Sequence, residues 1–226
     1  PLEIERLRTF LKYSDKNGRN YNLSYSIGFS DIGHPGFDID PSTKYRRSNR
    51  LTQYLQLHGF YAIKTGISMS HSLFINKFKT HYYNRNDTPE DDIELETNYN
   101  DINIGIRSEM LITRLARWIL MLGYDCDWSQ SNVDLINQQY GIPSQFSLGG
   151  FFQSKYSIGS GFNFSSGVRY DYRMANPGNN FQKRTYTHLT PKISLSYSKK
   201  PNRLFSVSYS QGFRAPSISE LMPQMH

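Results

Sequence analysis

Two short stretches carry the residue types that recognise anions and flat rings. Lys44, Arg46, Arg47 and Arg50 place four cations within seven residues, with Tyr45 among them, and a cluster of one sign attracts anionic ligands by its field alone. Tyr82, Tyr83 and Arg85 follow in the next polar stretch and could stack on an aromatic ligand. Catalytic chemistry has no matching constellation: no acid and histidine pair, and no activated serine, can be placed at matching strand ends. His34, His58, His71, His81 and His188 are scattered without metal-ligand spacing. Cys126 is the single cysteine, so no internal disulfide forms and a compact disulfide scaffold is excluded.

The elements that must position these residues are strands. Phe205, Val207, Tyr209 and Phe213 alternate with Ser206, Ser208, Ser210 and Gly212, and Tyr21, Leu23, Tyr25, Ile27 and Phe29 alternate with Asn22, Ser24, Ser26, Gly28 and Ser30. Phe162, Phe164, Val168, Tyr170 and Tyr172 oppose Asn163, Ser165, Gly167, Arg169, Asp171 and Arg173, which puts charges where a soluble sandwich would bury its face. The period predicts about ten strands, near 7–14, 20–30, 51–63, 67–80, 96–108, 112–128, 145–157, 160–173, 189–199 and 203–214. Their lengths suit a tilted strand crossing about 30 Å of hydrocarbon.

Connections alternate short and long. Short turns are expected at Asp15–Arg19, Lys64–Gly66, Ser108–Met110, Ser157–Ser160 and Lys199–Arg203, and long polar loops near 31–50, 81–95, 129–144 and 174–188. An up-and-down membrane barrel, with short periplasmic turns and long extracellular loops, produces this rhythm. Low mean hydropathy does not oppose it, since only alternate residues face lipid. No run of about 20 apolar residues exists, which excludes a membrane-spanning helix. The net charge of +7 comes without a basic helical stripe or a nucleic-acid motif, so no nucleic-acid partner is expected. The scattered histidines fall in loops or on the lumen side in this reading.

Near the C-terminus, Tyr209-Ser210-Gln211-Gly212-Phe213-Arg214-Ala215-Pro216-Ser217-Ile218-Ser219-Glu220-Leu221 closely resembles the Y-S-x-G-F-R-A-P-S/T-x-x-E-L run of TonB-dependent receptors. Gly149-Gly150-Phe151-Phe152-Gln153-Ser154-Lys155-Tyr156 and Gly167-Val168-Arg169-Tyr170-Asp171 resemble the family's paired strands, and Thr190-Pro191-Lys192 its strand opening. Within the C-terminal run, Ala215-Pro216 ends the preceding strand, because proline lacks the ladder donor and restricts the residue before it. Gly212, Phe213, Arg214, Ala215, Pro216, Glu220 and Leu221 therefore mark the family, and Arg214 could pair with Glu220 across the turn.

The resemblance implies an all-β, antiparallel, up-and-down transmembrane β-barrel in the cell outer membrane, with residues 1–226 supplying about ten strands of a 22-stranded barrel. It implies further strands and a plug domain carrying the box that TonB pulls on. TonB would be a partner through that plug, with outer-membrane lipid and lipopolysaccharide around the wall. The implied activity is uptake of a scarce nutrient, a ferric siderophore or haem, with no catalysis and no resident cofactor. Arg46, Arg47 and Arg50 would then meet an anionic iron complex or lipopolysaccharide phosphates. Tyr82, Tyr83 and Arg85 would meet a catecholate or porphyrin, or the tyrosines would join the interfacial aromatic girdle. His226, beside Met222 and Met225, stands where haem-type members carry an iron-ligating histidine. The alternative is a self-contained small outer-membrane barrel acting as an adhesin or a surface protease or lipase.

Overall fold

The computed structural model describes residues 2–15, 17–34, 45–85, 93–133, 141–178, 181–200 and 203–212. They form ten strands: β1 (Leu2–Ser14), β2 (Asn20–His34), β3 (Tyr45–Lys64), β4 (Ile67–Arg85), β5 (Ile93–Ile112), β6 (Trp118–Val133), β7 (Ser144–Gly159), β8 (Phe162–Asn176), β9 (Arg184–Lys200) and β10 (Arg203–Ser210). Each strand pairs antiparallel with its successor, so spatial order equals chain order and the sheet is one continuous meander. It does not close on itself, because β1 and β10 are its two edges.

Residues directly opposed in an antiparallel ladder share a face, so the register sorts every side chain. One row crosses Leu11, Leu23, Leu57, Leu73, Ile106, Cys126, Leu148 and Tyr172. The next holds Tyr25, Leu55, Ile75, Ile104, Trp128, Phe146 and Met174. The opposite face carries rows such as Ser24, Gln56, Phe74, Gly105, Asp127, Ser147 and Arg173. No described residue covers the apolar rows: Leu11 is 65% exposed and Leu73 46% exposed, and among the described residues only Val133 and Ala175 are buried hydrophobics. A contiguous apolar surface of this extent is untenable in water and needs lipid against it.

The hairpins follow from residues that tolerate positive φ. β7 and β8 join through Ser160 (φ 53°) and Gly161 (φ 89°), and a pair of left-handed residues forms the turn whose twist matches its flanking strands. Between β1 and β2, Asp15 Oδ1 accepts from the backbone N–H of Asn17 and of Arg19, both at 2.9 Å, and this side-chain ring replaces backbone pairing at the bend.

Two expectations need correction. Ser108, Glu109 and Met110 make no turn; they pair with Tyr124, Gly123 and Leu122, and the chain reverses at Thr113–Arg117 instead. Met110 and Ile112 continue the apolar alternation begun at Ile102, so the ladder has no reason to stop at Ser108. The long connections are also shorter than expected, since the strands reach His34, Tyr45, Arg85, Ile93, Val133, Ser144, Asn176 and Arg184. In β4 the apolar alternation ends at Ile75 while the ladder continues to Arg85. A tilted strand needs about 9–11 residues to cross the hydrocarbon, so β3, β4 and β5, with 20, 19 and 20 residues, extend well past it.

His71 departs from expectation too. It belongs to the apolar face, opposite Gly59 and Ser108, rather than to a loop or the polar side. Its Nδ1 lies 2.8 Å from Ser108 Oγ and its Nε2 lies 2.9 Å from the Tyr61 hydroxyl. With both ring nitrogens partnered, the imidazole no longer needs water, which is what an apolar surroundings demands.

Candidate functional site

The polar face carries its most organised chemistry on β6, β7 and β8. Asp125, Gly149 and Asp171 lie directly opposite one another on these three strands. Arg169, two residues before Asp171, donates from Nη1 and Nη2 to the two oxygens of Asp125 at 2.8 and 3.0 Å. Its Nε donates to Asp171 Oδ1 at 2.8 Å. One guanidinium therefore spans three strands and neutralises a carboxylate on each side of β7. Glycine is what makes the span possible: a Cβ at position 149 would collide with the Arg169 guanidinium and press on the Asp125 carboxylate.

A second tier sits four residues further along β8. Arg173 lies across from Ser147, which lies across from Asp127. Arg173 Nε donates to Ser147 Oγ at 3.4 Å. With its amide oriented so that the oxygen faces the guanidinium, Gln145 accepts from Arg173 Nη2 and Nε at 2.6 and 2.8 Å. Both tiers line one recess of about 490 Å³. Three carboxylates against two guanidiniums leave it anionic, and the bidentate pair gives it fixed geometry. Such a surface presents acceptors to cationic or hydrogen-bond-donating groups. Among the described residues no three of His, Cys, Asp and Glu converge as a metal site.

This network was not among the candidate residues of the sequence. The available signal was the charged alternation of Arg169, Asp171 and Arg173; nothing pointed to Asp125, 44 positions away.

The candidate ligand residues lie on strands, not loops. Arg50 pairs with Thr80 and Ser48 with Tyr82, so the exposed Arg50 and the half-buried Tyr82 are diagonal neighbours on the polar face. Arg46 falls at the same parity, opposite Asn84. Arg47, Tyr83 and Arg85 occupy the other parity. The register thus splits the six residues into two sets that belong to opposite faces of one sheet. Gly212 is exposed, with open space where a Cβ would stand. Phe213, Arg214, Ala215, Pro216, Glu220, Leu221 and His226 lie outside the described residues.

A family model described as "TonB dependent receptor-like, beta-barrel" matches residues 4–225. The chain belongs to the TonB-dependent receptors. As a TonB-dependent receptor barrel it resides in the outer membrane: its apolar face meets lipid, and its polar face lines the lumen. The FrpB iron transporter of Neisseria meningitidis superposes with a TM-score of 0.78 at 11% identity, over 95% of this chain and 38% of that one. The ferric yersiniabactin uptake receptor FyuA of Yersinia pestis gives 0.63 at 14% identity, over 91% and 36%. The copper transporter OprC gives 0.73 at 10% identity, over 96% and 37%. At such identities the likeness is one of fold. The chain spans between a third and two fifths of the length of these TonB-dependent receptors. No curated protein matches it in sequence. The family transports rather than catalyses, so the lumenal charges are best understood as wall and contact chemistry.

Proposed function

We propose that the protein containing this barrel imports a ferric siderophore or haem, energised by TonB acting through a plug in the lumen. The observation that carries the reading is the family match over residues 4–225. Neighbours of the same fold are named as an iron transporter and a ferric yersiniabactin receptor, and these support the iron class. Arg46, Arg50 and Tyr82 share the lumenal parity near the long-connection end, where a substrate entering from outside arrives first. Cations beside a phenol suit an anionic chelate with aromatic donors, through charge and stacking together. Arg47, Tyr83 and Arg85, on the outward parity, are assigned to the headgroup region and not to the substrate. His226 is the candidate iron ligand if haem is the cargo.

The test is growth of a deletion strain on single defined iron sources, with and without TonB. Loss of growth on one ferric siderophore or on haem, matched by loss of TonB, is the expected result. Uptake that persists without TonB would overturn the proposal.

A further inference from the structure

The lumenal face of β1 to β4 carries charge of one sign. Every Asp and Glu on these strands, Glu3, Glu5 and Asp31, falls at outward parity, whereas Arg6, Arg8, Lys12 and Arg50 fall at lumenal parity. β2 gives this face a low floor, since its lumenal residues between Asn22 and Ser30 are Ser24, Ser26 and Gly28. The larger side chains of β1 and β3 stand as two banks over that floor, so the wall here is a groove along β2. A Cβ at Gly28 would lie 2.9 Å from Thr52 Oγ1 and 3.7 Å from Arg6 Nε, which shows both banks leaning inward.

Three successive rows of the groove each hold an arginine. Arg50 lies opposite Ser30, Arg6 opposite Gly28 and Arg8 opposite Ser26, a step of about 7 Å along the strands. All three are exposed, and Arg6 and Arg8 make no ion pair among the described residues. Rings accompany them: Phe78 shares the row of Arg6, Tyr54 that of Arg8, and Phe10 and Phe74 form the row after. Phe10 is 62% exposed on the polar side, where lipid does not account for it. Arg6, Arg8, Phe10, Tyr54, Gln56 and Phe74 help to bound a recess of about 630 Å³, a size that encloses a ligand of several rings. β8 offers no second track of this kind, because Arg169 is held by Asp125 and Asp171.

We infer that this groove is a transfer site inside the lumen for a ring-bearing organic anion, deeper than the mouth formed by Arg46, Arg50 and Tyr82. Arg6 and Arg8 take the carboxylate or phenolate charge, and Phe10, Tyr54 and Phe74 take the ring plane. An anion moving inward passes from one guanidinium to the next and never gives up all its counter-charge at once. Neutral and cationic complexes find no such partner on this wall. The site rests on the import reading above and adds to it a charge selection exerted during passage, not at the cell surface.

The experiment uses the full-length receptor in cells with and without TonB, and four radioactive iron probes: haem, haem dimethyl ester, a ferric tricatecholate and a cationic ferric trihydroxamate. Binding to cells lacking TonB reads the outer site, and the initial uptake rate with TonB reads passage. Arg6→Gln with Arg8→Gln is expected to slow uptake of the anionic probe that the wild type imports about 10-fold, with its surface affinity unchanged. Arg6→Lys with Arg8→Lys should keep most of the rate, which a purely structural role for the guanidiniums would not allow. Lys155→Gln with Lys192→Gln, on the lumenal face of β7 and β9, should leave the rate unchanged. Ser26→Glu retains both arginines and sets a carboxylate on the floor beside Arg8; it should slow uptake as well and serves if the double variant does not fold. Heat-modifiable migration on a gel confirms the folded barrel in each case. Equal uptake by wild type and both groove variants would overturn the transfer site alone. So would a parallel fall in surface affinity, which moves the arginines to the outer site, or an equal loss in the Lys155 and Lys192 variant. A wild type that imports none of the four probes, or that favours the ester or the cationic complex, would overturn anion import and the transfer site with it.

Discussion

The lumenal wall is built in two ways. On β6 to β8 its charges are locked: Arg169 holds Asp125 and Asp171 across three strands, and Arg173 is held by Ser147 and Gln145. On β1 to β4 the same face carries Arg6 and Arg8 without an ion pair among the described residues, beside Phe10, Tyr54 and Phe74 around a recess of about 630 Å³. Tyr54 and Phe78 meet edge to face there, with ring centroids 5.5 Å apart. Period and backbone are alike in both regions, so the difference lies in what each wall asks of its side chains. A braced wall spends its cations on its own carboxylates. An unbraced one leaves cations and rings available to whatever fills the lumen.

Substitutions can break or sharpen that contrast. The largest effect is expected from Gly149→Val, which drives the Arg169 guanidinium off both carboxylates and leaves charges unpaired on a half-buried wall. A loss of about 2 kcal/mol is expected, measured by urea unfolding of the complete barrel in liposomes. Arg169→Gln should cost less, about 1–2 kcal/mol, because Arg169 is 37% exposed and solvent screens the pair. A double-mutant cycle with Asp125→Asn would show most of that cost as coupling between the two residues. Arg8→Gln should be smallest, within about 0.5 kcal/mol, since no carboxylate depends on it. If its unfolding cost equalled that of Arg169→Gln, the distinction between the two walls would collapse.

Much of the fold was legible because lipid imposes a simple rule. Tyr21 to Phe29 and Ile193 to Tyr197 show their outward side chains at every second residue, and those strands were found where the pattern placed them. Gly66 and Gly18, each with φ 75°, sit at the turns their type suggested. The ends of the strands were not legible. Past Ile75 the residues Lys77, Lys79 and His81 no longer need to be apolar, yet their backbone groups still pair with β3 and β5. The hydrophobic period measures the thickness of the membrane, not the length of the ladder. The same reason moved Arg46, Arg47, Arg50, Tyr82, Tyr83 and Arg85 from expected loops onto strands and divided them between two faces.

By itself the sequence determined an antiparallel membrane sheet, its family and the identity of its lipid-facing rows, since these follow from alternation and from local turn chemistry. Only the tertiary structure decided that Asp125 meets Arg169 over Gly149, that His71 is satisfied by Tyr61 and Ser108 on the outward face, and that two lysines of β4 stand just beyond the apolar band. Each depends on register between strands, and register is a long-range property: backbone pairing brings together residues whose separation along the chain carries no sign of their contact.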